Sequence, residues 1–336
     1  MNNHARPEHG MGAAEFRVSV VIPTYRRPAL LSRCLAAVLA QRLDAHAFEV
    51  IVVDDGHTDD TRAAVAALAP DGVPAVRYLR PAHGRGPAVA RNAGWRAARG
   101  AVIAFTDDDT IPDADWLAEG LAALRPEHAA ICGRVRVPPA STPPSDHERM
   151  TRGLESAEFV TANAFVRRAA LEQVGGFDER FRRAWREDSD LQFRLMREAG
   201  AVGRCDTATV VHPVRAERWG VSLGQQRNTF YDALLYKKHP RLYRERIRRI
   251  PPWDYYAVVG ATLAAPLLLA FGNAPAAGVC LALASVLVLG FAVRRLRRTS
   301  HAPHHVGEML VTSALIPFLS VYWRLRGAWR FRTLFL

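Results

Sequence analysis

The feature that most limits the fold is the alternation of short apolar runs with helix-like segments in the first hundred residues. Strand-like runs occupy residues 17–23, 48–53, 73–79 and 101–105, and helical segments separate them. Such alternation is typical of a mostly parallel sheet with right-handed crossovers. Sheets of this kind bind ligands beyond the carboxyl ends of their strands. The sequence therefore predicts an α/β domain with its functional site at that edge.

Polar clusters follow three of these runs, at 23–25, 54–55 and 107–109. The three consecutive carboxylates Asp107–Asp109 repel one another, and burying them unpaired would be costly. They are therefore either solvated in a turn or neutralised by a cation such as Mg²⁺ or Mn²⁺, which oxygen ligands suit. An acidic turn in which Asp109 or Asp113 caps the next helix is the plain structural alternative.

Other side chains near these clusters have chemistry suited to a nucleotide. Tyr25 can stack on a base, Asp55 can accept from a base N–H or a ribose hydroxyl, and Arg91 can face a diphosphate. The glycine-rich turn at 84–87 matches neither the GxGxxG nor the P-loop pattern, which argues against dinucleotide binding and ATP hydrolysis. Taken singly, each of these residues also has a purely structural explanation.

A second acidic group lies at 185–191, where Glu187, Asp188 and Asp190 begin a helix. The helix dipole favours negative charge in a first turn, so stabilisation of the helix alone would explain them. His212 ends a strand-like run. It suits a metal ligand or a diphosphate contact about as well as a hydrogen-bonded structural histidine.

Four segments, in order and at the right spacing, resemble the successive motifs of family 2 glycosyltransferases with the GT-A fold. They are 19–27 (SVVIPTYRR), 52–59 (VVDDGHTD), 90–94 (ARNAG) and 105–109 (FTDDD). The resemblance extends to roughly residue 240. One departure is His57, where the second motif usually has serine.

The resemblance implies an inverting, metal-dependent sugar transfer from a nucleotide-diphosphate sugar. Asp107 and Asp109 would form the DxD pair, and Asp108 can take either role. The implied nucleotide-sugar-binding residues are Pro23, Thr24, Tyr25, Arg27, Asp55, Arg91, Asp107 and Asp108. The implied ligands of a divalent metal, Mg²⁺ or Mn²⁺, are Asp107, Asp109 and His212.

The acceptor side carries weaker motifs. By the resemblance Asp188 is the catalytic base, Glu187 supports it, and Asp190 is the less favoured base. The implied acceptor-binding residues are Asn163, Gly176, Phe177, Asp178 and Arg227. Glycines 175–176 serve equally well as a helix C-cap. Residues 225–227 resemble the QxxRW segment of processive synthases, but Asn228 replaces the tryptophan, which favours transfer of one or a few sugars.

Two long apolar stretches follow the predicted catalytic domain. Residues 255–271 and 275–293 contain no charge, and each approaches the ~20 residues of a spanning helix. Arginine clusters at 241–249 and 294–298 bracket the pair, which predicts a hairpin anchor with both ends in the cytoplasm. Because of this placement, the formal charge of +12 indicates binding to a membrane surface rather than to nucleic acid.

The sequence thus divides into five parts. A disordered tail (1–15) precedes a GT-A domain (16–240), whose donor half is 16–112 and whose acceptor half is 113–240. A basic amphipathic segment (241–254), two transmembrane helices (255–293) and an interfacial or re-entrant C-terminal segment (294–336) follow. The reason for doubting a third span at 306–323 is that it contains Glu308 and Pro317 and precedes three arginines.

The leading hypothesis is a glycosyltransferase of the cytoplasmic membrane with a lipid-linked or glycan acceptor. A processive polysaccharide synthase is one alternative. It would need an export channel, and two spanning helices are too few to form one. A catalytically silent sugar-nucleotide or lipid-binding scaffold is the other. The donor sugar and the oligomeric state stay open.

Overall fold

The computed structural model describes residues 16–69 and 72–336, so the predicted tail at 1–15 lies outside the described residues. Within that range eight strands form one sheet in the order β3-β2-β1-β4-β7-β6-β8-β5. The strands are β1 Phe16–Thr24, β2 Phe48–Asp54, β3 Ala75–Leu79, β4 Gly100–Thr106, β5 Ile111–Pro112, β6 His128–Arg136, β7 Asn163–Arg167 and β8 Ala201–Val211.

The helices pack on both faces of this sheet and continue beyond it. They are α1 Pro28–Leu39, α2 Asp59–Leu68, α3 Pro87–Ala97, α4 Trp116–Ala123, α5 Asp146–Thr151, α6 Arg168–Val174, α7 Glu187–Glu198, α8 Val221–Gln225, α9 Thr229–Lys238, α10 Pro240–Leu242, α11 Trp253–Ala270, α12 Ala274–Leu296 and α13 Pro303–Phe331. Short 3₁₀ turns cover Ala45–Ala47, Arg152–Ser156 and Gln226–Asn228, and a π-helical turn covers Tyr243–Ile247.

The register of the central strands explains why the polar clusters meet. β1 pairs in parallel with β2 and β4, so Thr24 lies opposite Asp54, and Val21 lies opposite both Ile51 and Phe105. β2 is buried along its whole length, as expected of a central strand covered on both faces. The antiparallel strand β7 beside β4 makes the sheet mixed, and the predicted α/β GT-A architecture is confirmed.

Helix α3 carries Arg91 and lies very close to the sheet. A Cβ atom at Gly94 would lie 2.4 Å from Cγ1 of Val21, closer than real Cβ contacts allow, and 3.1 Å from Cγ2 of Val53. Only glycine at this position permits that approach. The contact fixes the height of Arg91 above the strand ends.

A second, aromatic core joins the catalytic domain to the C-terminal segment. Phe181, Tyr231, Tyr243 and Phe335 are buried together. The basic amphipathic segment at 241–254 stays a prediction; its helical part is one short run, α10 followed directly by the π-helical turn, around the fully buried Tyr243. Leu242 and Ile247 pack against this core and are partly buried, whereas Ile250 is 65% exposed.

Within residues 16–69 and 72–336, three helices are long and apolar enough to cross a membrane: α11, α12 and α13. The sequence predicted only two, with an interfacial or re-entrant segment at 306–323. The structure instead has one unbroken helix from Pro303 to Phe331, and Pro317 does not interrupt it.

Two of the polar residues that lower the hydropathy of α13, Glu308 and Arg324, face the protein. Glu308 accepts from the backbone N–H of Gly220 at 2.7 Å, and Arg324 is buried with its guanidinium 4.3 Å from the ring centroid of Phe335. The opposite side exposes apolar side chains that include Leu310, Leu315 and Trp329. Helix α13 therefore covers the catalytic domain with one side and presents apolar surface with the other.

The packing of α13 on α9 depends on a glycine. We expect Gly327→Ala to lower the thermal midpoint of the detergent-solubilised protein, because the added Cβ would lie 2.4 Å from the carbonyl oxygen of Phe230. Overpacking of this kind costs about 1–3 kcal/mol, more than the ~1 kcal/mol that alanine gains over glycine in a helix.

Gly307→Ala on the same helix is the matched control, since nothing lies within 4 Å of its Cβ position. Its midpoint should stay unchanged or rise. Equal midpoints for the two variants would contradict close packing of α13 on α9.

Candidate active site

The carboxyl ends of the central strands line one cleft of roughly 560 Å³. The structure brings every residue predicted for the nucleotide sugar and the metal to its wall: Pro23, Thr24, Tyr25, Arg27, Asp55, Arg91, Asp107, Asp108, Asp109 and His212. Their chemical roles stay predictions. The three polar clusters converge because β1, β2 and β4 pair in parallel and each cluster follows one of these strands, whereas Arg91 comes from α3 and His212 from the end of β8.

The two aspartates after β2 do different things. Asp54 is buried and shapes the turn, because its carboxylate accepts from the backbone N–H groups of Gly56 and Thr58 and from the Tyr78 hydroxyl. Asp55 faces the cleft and accepts from the backbone N–H of Gly86 at 2.8 Å. Its Oδ1 atom has no hydrogen-bond partner within the described part of the chain, so it can accept from a ligand.

Hydroxyl groups fix the turn that carries the acidic triplet. The Thr106 and Thr110 hydroxyls lie 2.6 Å apart, and that of Thr110 donates to the backbone carbonyl of Asp107 at 2.8 Å. The three carboxylates consequently point in different directions. The side chain of Asp107 is 29% exposed, whereas those of Asp108 and Asp109 are 2% and 5% exposed.

Asp108 is the inner acid of the triplet. The hydroxyl of Thr24 donates to it at 2.7 Å, and Arg27 lies 3.4 Å away. Burial raises the pKa of Asp108 to about 6, and the neighbouring carboxylates add to the effect, while Arg27 and Thr24 oppose it. Asp108 is thus ionised less readily than an ordinary aspartate.

Asp109 and His212 form the pair best suited to a metal ion. His212 Nε2 lies 3.5 Å from Asp109 Oδ1, close to the ~3 Å that separates neighbouring ligands of one small divalent ion. Among the described residues no three His, Cys, Asp or Glu side chains form a complete metal cage. The donor set fits an ion held by one or two protein ligands and completed by substrate phosphate, as Mg²⁺ commonly is.

Arg91 connects the acidic triplet to the second acidic group. It is buried, and its guanidinium lies 2.7 Å from Asp107 and 3.1 Å from Glu187. Burial alone would raise the pKa of Asp107, but Arg91 outweighs it and holds that pKa below its usual value. The two predicted centres, 80 residues apart in sequence, therefore share one cation.

The first turn of α7 holds Glu187 and Asp188. Arg186, at the N-cap, has a left-handed backbone with φ of 76°, and Asp232 accepts from its guanidinium at 2.6 Å. Burial and the neighbouring Asp188 raise the pKa of Glu187, although Arg91 opposes the shift. Burial also raises the pKa of Asp188, which accepts from the backbone N–H of Ser189 at 2.7 Å.

The less favoured base, Asp190, is unsuited to proton transfer with a substrate. It is fully buried, and Arg194, Lys238 and His239 all contact its carboxylate within 3.0 Å. These contacts anchor α7 to α9. Asp190 is a structural residue.

Three of the five predicted acceptor-binding residues turn out to be internal supports. Asn163 is fully buried, and its amide group bonds to Trp116 and to the backbone of β6 and β8, so its predicted acceptor role is not supported. Gly176 has φ of 73°, and a Cβ there would lie 2.6 Å from Asn92 and Trp95. Phe177 is buried below Arg91, whose guanidinium lies 5.8 Å from the ring centroid.

The other two lie away from the cleft walls. Asp178 is tied to Arg180 and Lys238, and these contacts outweigh burial to hold its pKa far below the usual range. Arg227 is exposed and lies over the ring of Trp323 on α13, 5.9 Å from its centroid. Neither contacts the acidic triplet or the first turn of α7, so their acceptor role is not supported.

Sequence reasoning missed three cleft-lining arginines, namely Arg85, Arg182 and Arg215. Arg215 lies 3.2 Å from Asp109, and Arg182 reaches the cleft from the loop before α7. In a chain with 45 lysines and arginines, no local pattern separates these three from solvated arginines. For Arg215, its position three residues after His212 was the one available signal.

Comparisons with known proteins agree with this geometry. The sequence profile of "Glycosyl transferase family 2" matches residues 19–184, and that of "Glycosyl transferase family group 2" matches residues 102–321, well over half of the chain. The fold is of the GT-A type. The chain belongs to glycosyltransferase family 2.

Several curated relatives are similar over part of their length. Glycosyltransferase AglE of Haloferax volcanii is 29% identical over 170 residues, 48% of this chain and 55% of the relative. The pre-mycofactocin glycosyltransferase of Mycobacterium tuberculosis is 32% identical over 233 residues, 64% of this chain and 46% of the relative. This chain thus spans about half the length of these two relatives.

A third relative and one solved structure are also relevant. The GalNAc(5)-diNAcBac-PP-undecaprenol beta-1,3-glucosyltransferase of Campylobacter jejuni is 33% identical over 93 residues, 28% of this chain and 29% of the relative. A mannosyltransferase from Pyrobaculum calidifontis, solved in complex with GDP-Man and Mn²⁺, superposes with a TM-score of 0.59 at 23% identity. That likeness covers 92% of this chain and 87% of the other, and it establishes the shared fold.

The raised pKa of Asp108 predicts a pH effect on stability. A carboxyl group whose folded pKa is above its ordinary value of 3.8 stabilises the fold fully below that value, and this stabilisation is lost as the pH rises through about 6. Asp108→Asn removes the titration. We therefore expect its thermal midpoint, relative to wild type, to rise between about pH 4 and pH 7 in the ligand-free protein. Parallel midpoint curves for the two proteins would contradict the burial of this acid.

Proposed function

We propose that this protein is a metal-dependent, inverting glycosyltransferase that moves a sugar from a nucleotide-diphosphate sugar to a membrane-associated acceptor at the cytoplasmic face. We call the cleft at the carboxyl ends of the central strands the donor cleft. The observation that carries the proposal is the ion-paired chain Asp107–Arg91–Glu187, which links this cleft to the first turn of α7 beside Asp188. A donor and an acceptor hydroxyl can therefore meet between two acidic centres of fixed separation.

The cleft has groups for each part of a nucleotide sugar. The ring of Tyr25 is available for stacking because the residue is 46% exposed, and the unpartnered Oδ1 of Asp55 can accept from a base N–H or a ribose hydroxyl. Arg27 and the missed arginines Arg85 and Arg182 supply positive charge for a diphosphate. The complex of the Pyrobaculum relative with GDP-Man supports this class of donor.

Asp109 and His212 are the residues that would hold a divalent ion, with Asp107 as the more exposed acid beside them. A bound Mg²⁺ or Mn²⁺ would neutralise charge that develops on the leaving diphosphate, so no separate general acid is needed. Arg27 and Arg215 both lie within 3.5 Å of Oδ2 of Asp109, so their positive charges would add to this neutralisation.

Asp188 is the proposed base. Its carboxylate takes the proton of the acceptor hydroxyl as that oxygen bonds to C1 of the sugar, while the bond from C1 to the diphosphate breaks and the nucleoside diphosphate leaves. Attack opposite the leaving group inverts the configuration at C1. The raised pKa of Asp188 suits a base that must accept a proton at neutral pH.

The acceptor side rests on the membrane helices. We propose that α11 and α12 insert into the membrane as a hairpin. Only 11% and 17% of their most apolar 18-residue stretches are buried within the protein, whereas 39% of that of α13 is buried. The arginine clusters at 241–249 and 294–298 then lie on the cytoplasmic side. The printed name of the Campylobacter relative describes a lipid-linked acceptor, which supports an acceptor of that kind here.

Neither alternative matches the structure as well. A processive synthase would need the tryptophan that Asn228 replaces in the 225–228 segment and a helical channel for export. A silent scaffold would have no use for Glu187 and Asp188 in partly desolvated positions next to the donor cleft, because such placement costs stability.

The donor and metal assignments are tested by thermal stabilisation. We expect one class of nucleoside diphosphate, from a panel of all common bases, to raise the midpoint of the solubilised protein only when Mn²⁺ or Mg²⁺ is present. Asp107→Asn and Asp109→Asn should remove the shift, because each deletes a proposed metal-binding carboxylate.

Asp115→Asn is the control, since the half-exposed carboxylate of Asp115 pairs with the exposed Arg42 and does not line the cleft. It should keep the full shift. A shift that needs no metal would exclude the metal assignment, and the absence of any shift in folded protein would favour the scaffold.

The base assignment is tested by Asp188→Asn. We expect release of nucleoside diphosphate from the donor, measured with a membrane lipid extract as acceptor, to fall by a factor of about 10²–10⁴. The stabilisation by nucleotide and metal should persist, because Asp188 is not part of the cleft wall. Asp206→Asn, which changes an exposed acid on β8, should keep normal turnover. Normal turnover in Asp188→Asn would show that another group is the base.

A further inference from the structure

A second cavity, of about 430 Å³, lies where the catalytic domain meets the membrane helices. We call it the junction cavity. Its walls are the 140–150 segment with α5, the 214–225 segment with α8, and the end of α12 together with the first turns of α13. No residue of the acidic triplet lines it, so it is distinct from the donor cleft.

The walls of the junction cavity are held by a buried ion pair. Arg295 of α12 lies 2.8 Å from Asp146 of α5 and donates to Ser222, Thr312 and Ser313 within 3.2 Å. Each of these groups is buried. Because one guanidinium ties three separate elements together, the cavity is a built feature of the fold and not a loose gap between domains.

Polar atoms without partners cluster at this cavity. His305 Nε2, His147 Nδ1 and Gln225 Oε1 are buried atoms with no hydrogen-bond partner among the described residues, and all three side chains line the cavity. His305 is only 4% exposed. Buried polar atoms are normally paired, so a group of unpaired ones around a single cavity points to a polar ligand.

An exposed aromatic ring stands beside these atoms. Trp219 lines the cavity and is 57% exposed, although tryptophan is rarely left so open without a partner. An indole ring offers a flat apolar face and one N–H donor. A pyranose ring, with an apolar face of C–H groups and a rim of hydroxyls, complements a flat ring next to hydrogen-bonding side chains.

The charges of the cavity argue against a phosphate group as the ligand. Its arginines are offset by a similar number of carboxylates, namely Arg215, Arg218 and Arg295 against Asp146, Glu148, Glu217 and Glu308. An anion would meet these acids at short range, and the buried Arg295 is already neutralised by Asp146. A neutral ligand with many hydroxyls can use both signs, since carboxylates accept from hydroxyls and guanidinium groups donate to them.

Arg215 connects the junction cavity to the donor cleft. It lines both, and its guanidinium lies 3.2 Å from Asp109. The 214–216 segment lines the junction cavity and also a smaller pocket that contains Asp109.

We propose that the junction cavity binds a saccharide unit of the acceptor, with Trp219 against the sugar ring and Gln225, His147 and His305 on its hydroxyls. This proposal rests on the proposed function, and it narrows the acceptor to one that already carries sugar, as opposed to a bare lipid phosphate.

The test is saturation-transfer NMR on the full-length protein in dodecyldimethylamine oxide, a detergent without a sugar headgroup. The probes are the methyl glycosides of glucose, galactose, mannose and N-acetylglucosamine, with glycerol phosphate as the rival headgroup. At least one glycoside should receive saturation, and glycerol phosphate should not displace it.

Trp219→Ala should weaken glycoside binding about 3- to 10-fold, the effect of losing one aromatic contact, and Trp219→Phe should restore most of it. Trp253→Ala is the matched control, because Trp253 is 56% exposed and lies outside the cavity. Its glycoside binding should equal that of wild type.

Three outcomes would overturn the proposal: no glycoside binds, glycoside binding is the same in Trp219→Ala, or glycerol phosphate displaces the glycoside. The nucleotide-dependent thermal shift is measured on the same samples. If that shift persists while glycosides fail to bind, only the cavity assignment fails. If that shift is absent, the proposed function fails with it.

Discussion

The rest of the site depends on the burial of Arg91 between Asp107 and Glu187. A buried guanidinium is tolerated only when its charge is matched on each side, and removing one partner of such a pair typically costs about 3–5 kcal/mol. The position of Arg91 follows in turn from the close approach of α3 to β1 at Gly94 and from the packing of Phe177 below it. The distance between the donor cleft and the proposed base is therefore a property of the core and not of mobile loops.

The same balance of charge extends over the whole cleft. Without substrate, the buried acids Asp108 and Asp109 are partly neutralised by Arg27 and Arg215. Those arginines are also groups that a diphosphate would engage, so binding would exchange one set of ion pairs for another. Such an exchange avoids leaving any buried charge unpaired, which is the most costly state available to the site.

The errors of sequence reasoning share one physical origin. Glu308 and Arg324 lower the hydropathy of 303–331, yet in the fold they lie against Gly220 and Phe335, and the helix continues unbroken. Asn163 sits in a motif typical of acceptor binding, but it is the hydrogen-bonding centre of three strands. In each case the partner that decides the role is more than ten residues away in sequence, and no local pattern records it.

Local patterns were sufficient for the strand–helix alternation, the strand ends that carry the donor cleft, and the acidic first turn of α7, because periodicity and strand termination depend on neighbouring residues. Tertiary structure alone decided which aspartate of the triplet is exposed, which arginines enter the cleft, and how α12 and α13 close the junction cavity. Burial and ion pairing set those features, and both depend on contacts such as Arg91–Glu187 and Arg295–Asp146, which join residues 96 and 149 positions apart.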